Sequence, residues 1–461
     1  MKNKSESMVK KTLIYLAGNF SSKIFGIIII PIYANYLTAN QLGKYDYQQT
    51  IAGLLQPIIA LALWEAVLRF GLNVEGKELK RLLSTVVVIS SFTISISTII
   101  IFFVYKNIYG LNIITLLYIV MIIYVPIINL LGYIARATHH SIVFAFSGVI
   151  SSGVNLLGIL IFVVVNDRGL EGLLWSTVIA NTFNAIFLII GTKLPKLISI
   201  SEFSVEEGKR LIAFSGPLIF NLFFGWFISS FSRFYINTSL GATTNGIYAF
   251  ASKFSMIIMQ ISQIINMTMI EDAVQSIGMT DWTKRFEKNF TNVTNLFFRV
   301  SFIFLPVIGI YYHTIKNQEF LVSFNLVPLL IFSTIINNSA TLVGNIFPVF
   351  NKTSKIFYTT IFAGIINVVL AMLLGNTWKL TGIVVAQIVG ATVLFLSRYF
   401  YGKKIKNYKV KWRQFICNVF LFIAVSFLVS SKNIEIQIMT FIIFSLAFLY
   451  IYREWIIKKI K

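Results

Sequence analysis

An all-α protein that crosses a membrane about fourteen times is the fold class this sequence predicts, and three observations predict it. Hydrophobic residues make up 57% of the 461 and charged residues only 12%, about half the charge of an average soluble domain. Apolar runs of about 20 residues, the length that crosses a bilayer as a helix, recur from one end of the chain to the other. The breaks between them are too short for a soluble domain, and the excess of basic over acidic residues (39 to 17) falls mostly on alternate breaks.

In order, the runs cover 12–37, 47–70, 82–105, 113–135, 141–165, 170–192, 211–237, 246–270, 289–312, 320–347, 356–375, 380–397, 414–430 and 434–452. The first follows a basic segment, MKNKSESMVKK. It lacks a small-residue cleavage pattern and is too long for a signal peptide, so it reads as an uncleaved span. Pro31, Pro57, Pro126, Pro217, Pro306, Pro328 and Pro348 fall within or at the ends of runs, where each predicts a kink. The last two runs are poorer in polar residues and read as peripheral helices.

Lys and Arg in short loops set orientation. Of the 39, 28 lie on the side of the N-terminus, 6 on the opposite side and 5 inside spans. Both termini are therefore expected in the cytoplasm. The net charge of +22 becomes a topology signal facing anionic lipid, and nucleic acid is not needed as a partner. A weak repeat links Leu37-Thr-Ala-Asn-Gln-Leu-Gly43-Lys-Tyr45-Asp-Tyr47 after span one to Leu240-Gly-Ala-Thr-Thr-Asn-Gly246-Ile-Tyr248-Ala-Phe250 after span seven. Six spans separate the copies, and an even number preserves orientation. The expected architecture is two six-helix bundles, 1–195 and 196–402, related by a pseudo-two-fold along the membrane normal, with two C-terminal helices in 403–461.

The basic residues inside spans are Lys23, Arg69, Arg233, Lys253 and Arg299, and the only acid clearly inside one is Glu65. A cation in mid-bilayer costs roughly 2.5–3.5 kcal/mol, whereas one near an end reaches the headgroups. Lys23 and Arg299 stand nearest the middle; Arg69 is placed to reach a surface. Glu65 and Arg69, four apart, fit a structural ion pair. Glu65 and Asp46, the latter at a span end, are the candidates for ion coupling. Polar stripes accompany the charges, with Asn19 on span one, Asn221 on span seven, Gln260 on span eight and Asn338 on span ten. The Ser and Gly positions, such as Ser147, Ser151 and Gly158, read as helix-packing residues. The Lys and Arg do not, and Lys23, Arg233, Lys253 and Arg299 are expected to line a hydrated chamber suited to a polyanion. Organic cations would need the opposite sign.

The remaining chemistry is sparse. One cysteine, Cys417, and three histidines exclude an internal disulfide and a Cys-based metal cluster. No catalytic residues, metal or cofactor are expected. Gly71-x4-Gly76-Lys77 imitates a phosphate loop, but Glu78 replaces the Ser or Thr that binds magnesium, and a membrane helix precedes it instead of a strand.

Asn19-Phe-Ser-Ser-Lys23, Pro31-Ile-Tyr33, Leu37-Thr38, Gly43-Lys-Tyr45-Asp46, Pro57 and Glu65-Ala-Val-Leu-Arg69-Phe70 resemble the N-terminal region of Wzx-type polysaccharide flippases. These belong to the superfamily of multidrug and toxin extrusion pumps and the lipid II flippase. The resemblance covers about the first 70 residues, with a weaker echo at 215–255. It implies a non-enzymatic flippase in the bacterial cytoplasmic membrane, serving capsule, O-antigen or another surface polysaccharide. The cargo would be undecaprenyl-pyrophosphate-linked oligosaccharide, moved by alternating access. Implied partners are membrane lipid, a polysaccharide polymerase and a chain-length regulator. Lipid II flipping, multidrug antiport and a membrane polysaccharide polymerase are the alternatives; short outward loops weigh against the polymerase, and the lack of interior acids against the antiporter.

Overall fold

The computed structural model describes residues 24–276, 281–431 and 433–460, and these are helical with no strand among them. Ten helices are long and apolar enough to cross a membrane, or eleven counting one bent pair. Contacts divide the chain into two compact units, Met1–Gly246 and Ile247–Lys461.

In the first unit α1 (Ile24–Tyr36) leads to Thr38, whose hydroxyl accepts from the Gln41 backbone N–H at 3.2 Å while Gln41 Oε1 accepts from the Thr38 N–H at 2.9 Å. This capping box satisfies orphan donors at the start of α2 (Ala39–Ile59). Pro57 weakens the end of α2, Leu61 and Ala62 both adopt φ of 49°, and α3 (Leu63–Gly71) leaves at 57°. One predicted span is thus two helices. Its break sits four residues beyond the proline, at two left-handed residues that cost about 1–2 kcal/mol each.

Next come α4 (Gly76–Tyr109), α5 (Ile113–Ala137), α6 (Ser141–Ile159) and α7 (Gly169–Gly191). α6 continues as a π-turn through Val165. A Cβ on Gly172 would stand 2.7 Å from the Phe162 carbonyl, and one on Gly158 would stand 3.0 Å from Ser176. Small residues here let α6 and α7 approach closely, as expected of Gly158. The short α8 (Leu194–Leu197) precedes α9 (Val205–Tyr235). Trp226 of α9 donates its indole N–H to the Thr50 carbonyl of α2 at 3.0 Å.

The second unit takes most of α10 (Ala242–Gln275), then α11 (Trp282–Tyr312), α12 (Gln318–Leu321), α13 (Val327–Gly344) and α14 (Ile346–Val349). The 52 residues of α15 (Ser354–Ile405) would reach about 78 Å as one helix. They are two helices instead, broken at Lys379 (φ 51°, ψ −131°), between the predicted runs 356–375 and 380–397. α16 (Trp412–Ser430) and α17 (Ile434–Ile460) both pack on α11.

The sequence repeat has a structural counterpart inside the first unit. A Cβ on Gly43 would fall 1.7 Å from the Ala242 carbonyl oxygen, and one on Gly246 would fall 1.8 Å from the Ala39 carbonyl oxygen. Each motif's glycine therefore lies on the other motif's alanine, the reciprocity that a local two-fold produces. Gly43→Ala is expected to lower the melting temperature in detergent by the equivalent of about 1–3 kcal/mol, the cost of forcing atoms into a filled site. Gly225→Ala, in α9 with nothing near its Cβ position, is expected to be neutral or stabilising.

Candidate functional site

Among the described residues, Arg233 and Arg299 meet different partners. Lys23 and Asn19 lie outside the described residues. Arg233, expected without a counter-charge, has one: its Nη1 donates to Asp46 Oδ1 at 3.1 Å. Asp46 thus serves as a counter-ion, a role its place at a span end did not reveal. Asn245 completes the arrangement, its amide donating to the Gly43 carbonyl at 2.9 Å and to Asp46 Oδ2 at 3.4 Å. Tyr47 stacks against Phe234 alongside, with ring centroids 6.1 Å apart. A carboxylate on α2 therefore joins the end of α9 to the start of α10 at the point where Gly43 and Gly246 meet.

In the second unit, Arg299 of α11 meets α17. Its guanidinium donates to the Tyr452 hydroxyl at 3.3 Å and lies 5.6 Å from that ring's centroid. Lys253 and Gln260 are half-buried on α10, and Asn338 is buried on α13, its amide nitrogen without a partner among the described residues. Asn221 is exposed on α9. Glu65 accepts from the Trp64 indole at 3.1 Å and the Tyr133 hydroxyl at 3.3 Å. Arg69, its expected partner, is exposed and makes no ion pair with it among the described residues. The helix break at Leu61 and Ala62 leaves the i, i+4 spacing intact within α3, so the aromatic donors win by proximity rather than by register.

A cation that the loop tally assigned to the cytoplasm lies in the interior. Arg398 is 8% exposed because α15 continues as helix to Ile405. Its guanidinium donates to the Ala340 carbonyl at 3.2 Å and to Thr360 Oγ1 at 3.1 Å. A Cβ on Gly344 would stand 2.9 Å from it, so that glycine makes room for the arginine. The guanidinium is built into the packing of α13 on α15.

Two clefts of several hundred Å³ are lined by described residues. One, of about 370 Å³ in the second unit, is lined by Tyr312, His313, Phe324 and Gln437. There His313 and Gln437 hold each other at 3.1 Å. The other, of about 390 Å³, lies wholly in the first unit. Gln49 and Gln56 of α2, Asn129 of α5, and Thr177 and Asn181 of α7 line it, with Val125, Ile128 and Phe144 as apolar wall. Its described lining carries four amides and no ionisable group. Asn129 is an isolated amide among apolar neighbours, whereas Asn181 lies on a polar stripe with Thr177 four residues before it and Asn184 three after, a periodic signal that could have found it.

Comparison with known proteins places this geometry. The profile of the family described as "Polysaccharide biosynthesis protein" matches residues 8–270. No curated protein sequence matches the chain. Among solved structures, the lipid II flippase MurJ in an inward closed conformation is 15% identical, with a TM-score of 0.69, covering 96% of this chain and 100% of its own. An inward-facing multidrug resistance transporter of the MATE family is 16% identical at a TM-score of 0.64, covering 83% of this chain and 95% of its own. A Pyrococcus furiosus transporter of the same superfamily, described as having a binding pocket of reverse polarity, is 14% identical at 0.53, covering 86% and 92%. The fold is the one these transporters share.

The Asp46–Arg233 pair is partly shielded, with side chains 14% and 23% exposed. In a double-mutant cycle with Asp46→Asn and Arg233→Met, scored by detergent melting, each single change should destabilise and the pair should show a coupling of about 1–2 kcal/mol. Additive losses would show that the contact contributes nothing to stability.

Proposed function

We propose that the chain, which belongs to the polysaccharide biosynthesis protein family, is a Wzx-type flippase. It carries undecaprenyl-pyrophosphate-linked oligosaccharide across the bacterial cytoplasmic membrane by alternating access. The observation that carries the reading is the family match over residues 8–270, joined to a multi-pass fold similar to transporters. The relatives by fold are named as flippases and transporters, and this chain is read as one of them rather than as an enzyme.

The sign of the charge inside the spans supports an anionic cargo, with five basic residues there against one acid. The asymmetry of basic residues between loops supports cytoplasmic termini. Lys23 and Lys253 are assigned to the diphosphate, through charge-assisted hydrogen bonds. Arg299 is assigned to the same cargo from its place beside Tyr452, whereas Arg233 is assigned to holding Asp46. The polyprenyl chain would stay in lipid during transfer. A polymerase and a chain-length regulator acting on the flipped units are the expected partners.

Lipid II transport is the second reading, favoured by the similarity to MurJ along that protein's whole length. Purified protein in vesicles separates the two. Protein-dependent flipping of a polyprenyl-diphosphate oligosaccharide, with lipid II left behind, is the expected result; flipping of lipid II alone would favour the second reading. Lys253→Ala should slow transport roughly ten- to a hundredfold, the loss of a hydrogen bond to a charged group, and Lys253→Arg should retain most of it. Unaltered transport by Lys253→Ala would remove that residue from the cargo site.

A further inference from the structure

We propose that the cleft lined by Gln49, Gln56, Asn129, Thr177 and Asn181 is a glycan subsite that holds uncharged sugar hydroxyls of the cargo. The proposal rests on the flippase reading and adds where, and by what chemistry, the sugar is recognised.

The argument begins with what polar groups do elsewhere on the same helices. Gln48 of α2 accepts from the Tyr105 hydroxyl at 2.7 Å. Tyr124 of α5 and Thr182 of α7 share a hydrogen bond of 2.8 Å, and Tyr45 of α2 meets Thr177 of α7 at 2.9 Å. These contacts join helices in the way expected of polar residues in a membrane. Three of the four cleft amides behave differently. Gln56, Asn129 and Asn181 have no side-chain hydrogen-bond partner among the described residues, whereas Gln49 donates to Tyr45 at 3.0 Å and weakly to the Met121 sulfur. Three helices thus each turn toward one cleft an amide that no other described residue uses. An amide transferred to an apolar medium without a partner costs roughly 2–7 kcal/mol. Amides kept at such positions need water or a ligand, and an open cleft supplies the room.

The lining selects the ligand class. Among the described residues it offers amides and a hydroxyl but no charge, a lining that suits neither an organic cation nor the diphosphate. An amide offers both donors and an acceptor, and so does a hydroxyl, which makes a polyol the complementary surface. Val125, Ile128 and Phe144 present apolar area to the C–H faces of a sugar ring. Gln49 and Gln56 are two turns apart, about 10 Å along the helix, and Thr177 and Asn181 about one. The polar points are therefore spread along a line, as an oligosaccharide would need. The volume, about 390 Å³, falls in the range of small-ligand pockets.

The test uses the full-length protein in vesicles with two probes, a polyprenyl-diphosphate oligosaccharide and a polyprenyl-diphosphate monosaccharide. Asn129→Leu and Asn181→Leu keep the branched side-chain skeleton, with bulkier methyl groups, and remove the hydrogen bonds. Each should slow oligosaccharide transport about tenfold or more, with a smaller effect on the monosaccharide. Melting temperatures should stay level or rise, because Leu replaces an amide that no protein group uses. Equal transport by wild type and variants would overturn the subsite while leaving the flippase reading standing. Equal losses for both probes, with a lowered melting temperature, would assign the amides to structure and overturn it too. A wild type that moves neither probe would overturn the flippase reading itself, and the subsite with it. Competition by the free oligosaccharide, at a potency reduced in both variants, would place recognition on the sugar rather than on the lipid-borne diphosphate; no such reduction would overturn the proposal.

Discussion

Hydrocarbon offers a polar side chain nothing to bond with, and this constraint organises the molecule. Backbone groups meet it by forming helices throughout the described residues. Side chains meet it in three ways. Serines and threonines return their hydroxyls to carbonyls one turn back, as Thr182 does to Val178 at 2.8 Å. Tyrosines bridge helices, as Tyr105 does to Gln48. Charges find counter-charges or carbonyls, as Arg233 does with Asp46 and Arg398 with Ala340. The amides of Gln56, Asn129 and Asn181 follow none of these routes, which is why the cleft they line stands out chemically.

The same constraint changes how the cations are read. A guanidinium held by a carboxylate, as at Arg233, is a structural element first. The Asp46 pair lies where two glycines cross at less than the room a methyl group needs. Charge and close packing there reinforce each other: contact between backbones brings the carboxylate within reach, and the ion pair holds the helices in contact. Arg299, with its tyrosine, sits against the last helix of the chain.

Much of the fold was legible because a crossing helix announces itself by about 20 apolar residues. The break at Lys379 fell between two predicted runs, and the Pro57 kink was visible as a proline. The double left-handed step at Leu61 and Ala62 was not, since neither residue type favours it. The repeat showed Ala39 and Gly43 in register with Ala242 and Gly246, but only coordinates show each pair clasping the other. Of the site, charge was legible and partnership was not. Asp46 and Arg233 are 187 residues apart, and nothing local links them. Arg398 was assigned to a loop because its helix runs past the apolar stretch that marked it. Gln49 and Gln56 are seven residues apart on one helix, whereas Asn129 and Asn181 join them only after three helices have packed.

The most direct measurement exploits the single cysteine. With Cys417 replaced by serine, Asn129→Cys and Asn181→Cys would each carry the sole thiol, open to a membrane-impermeant maleimide. The account predicts that both thiols react from one side of the membrane and that a polyprenyl-diphosphate oligosaccharide shields them. Thiols that stay unreactive, or that react equally with cargo present, would contradict it.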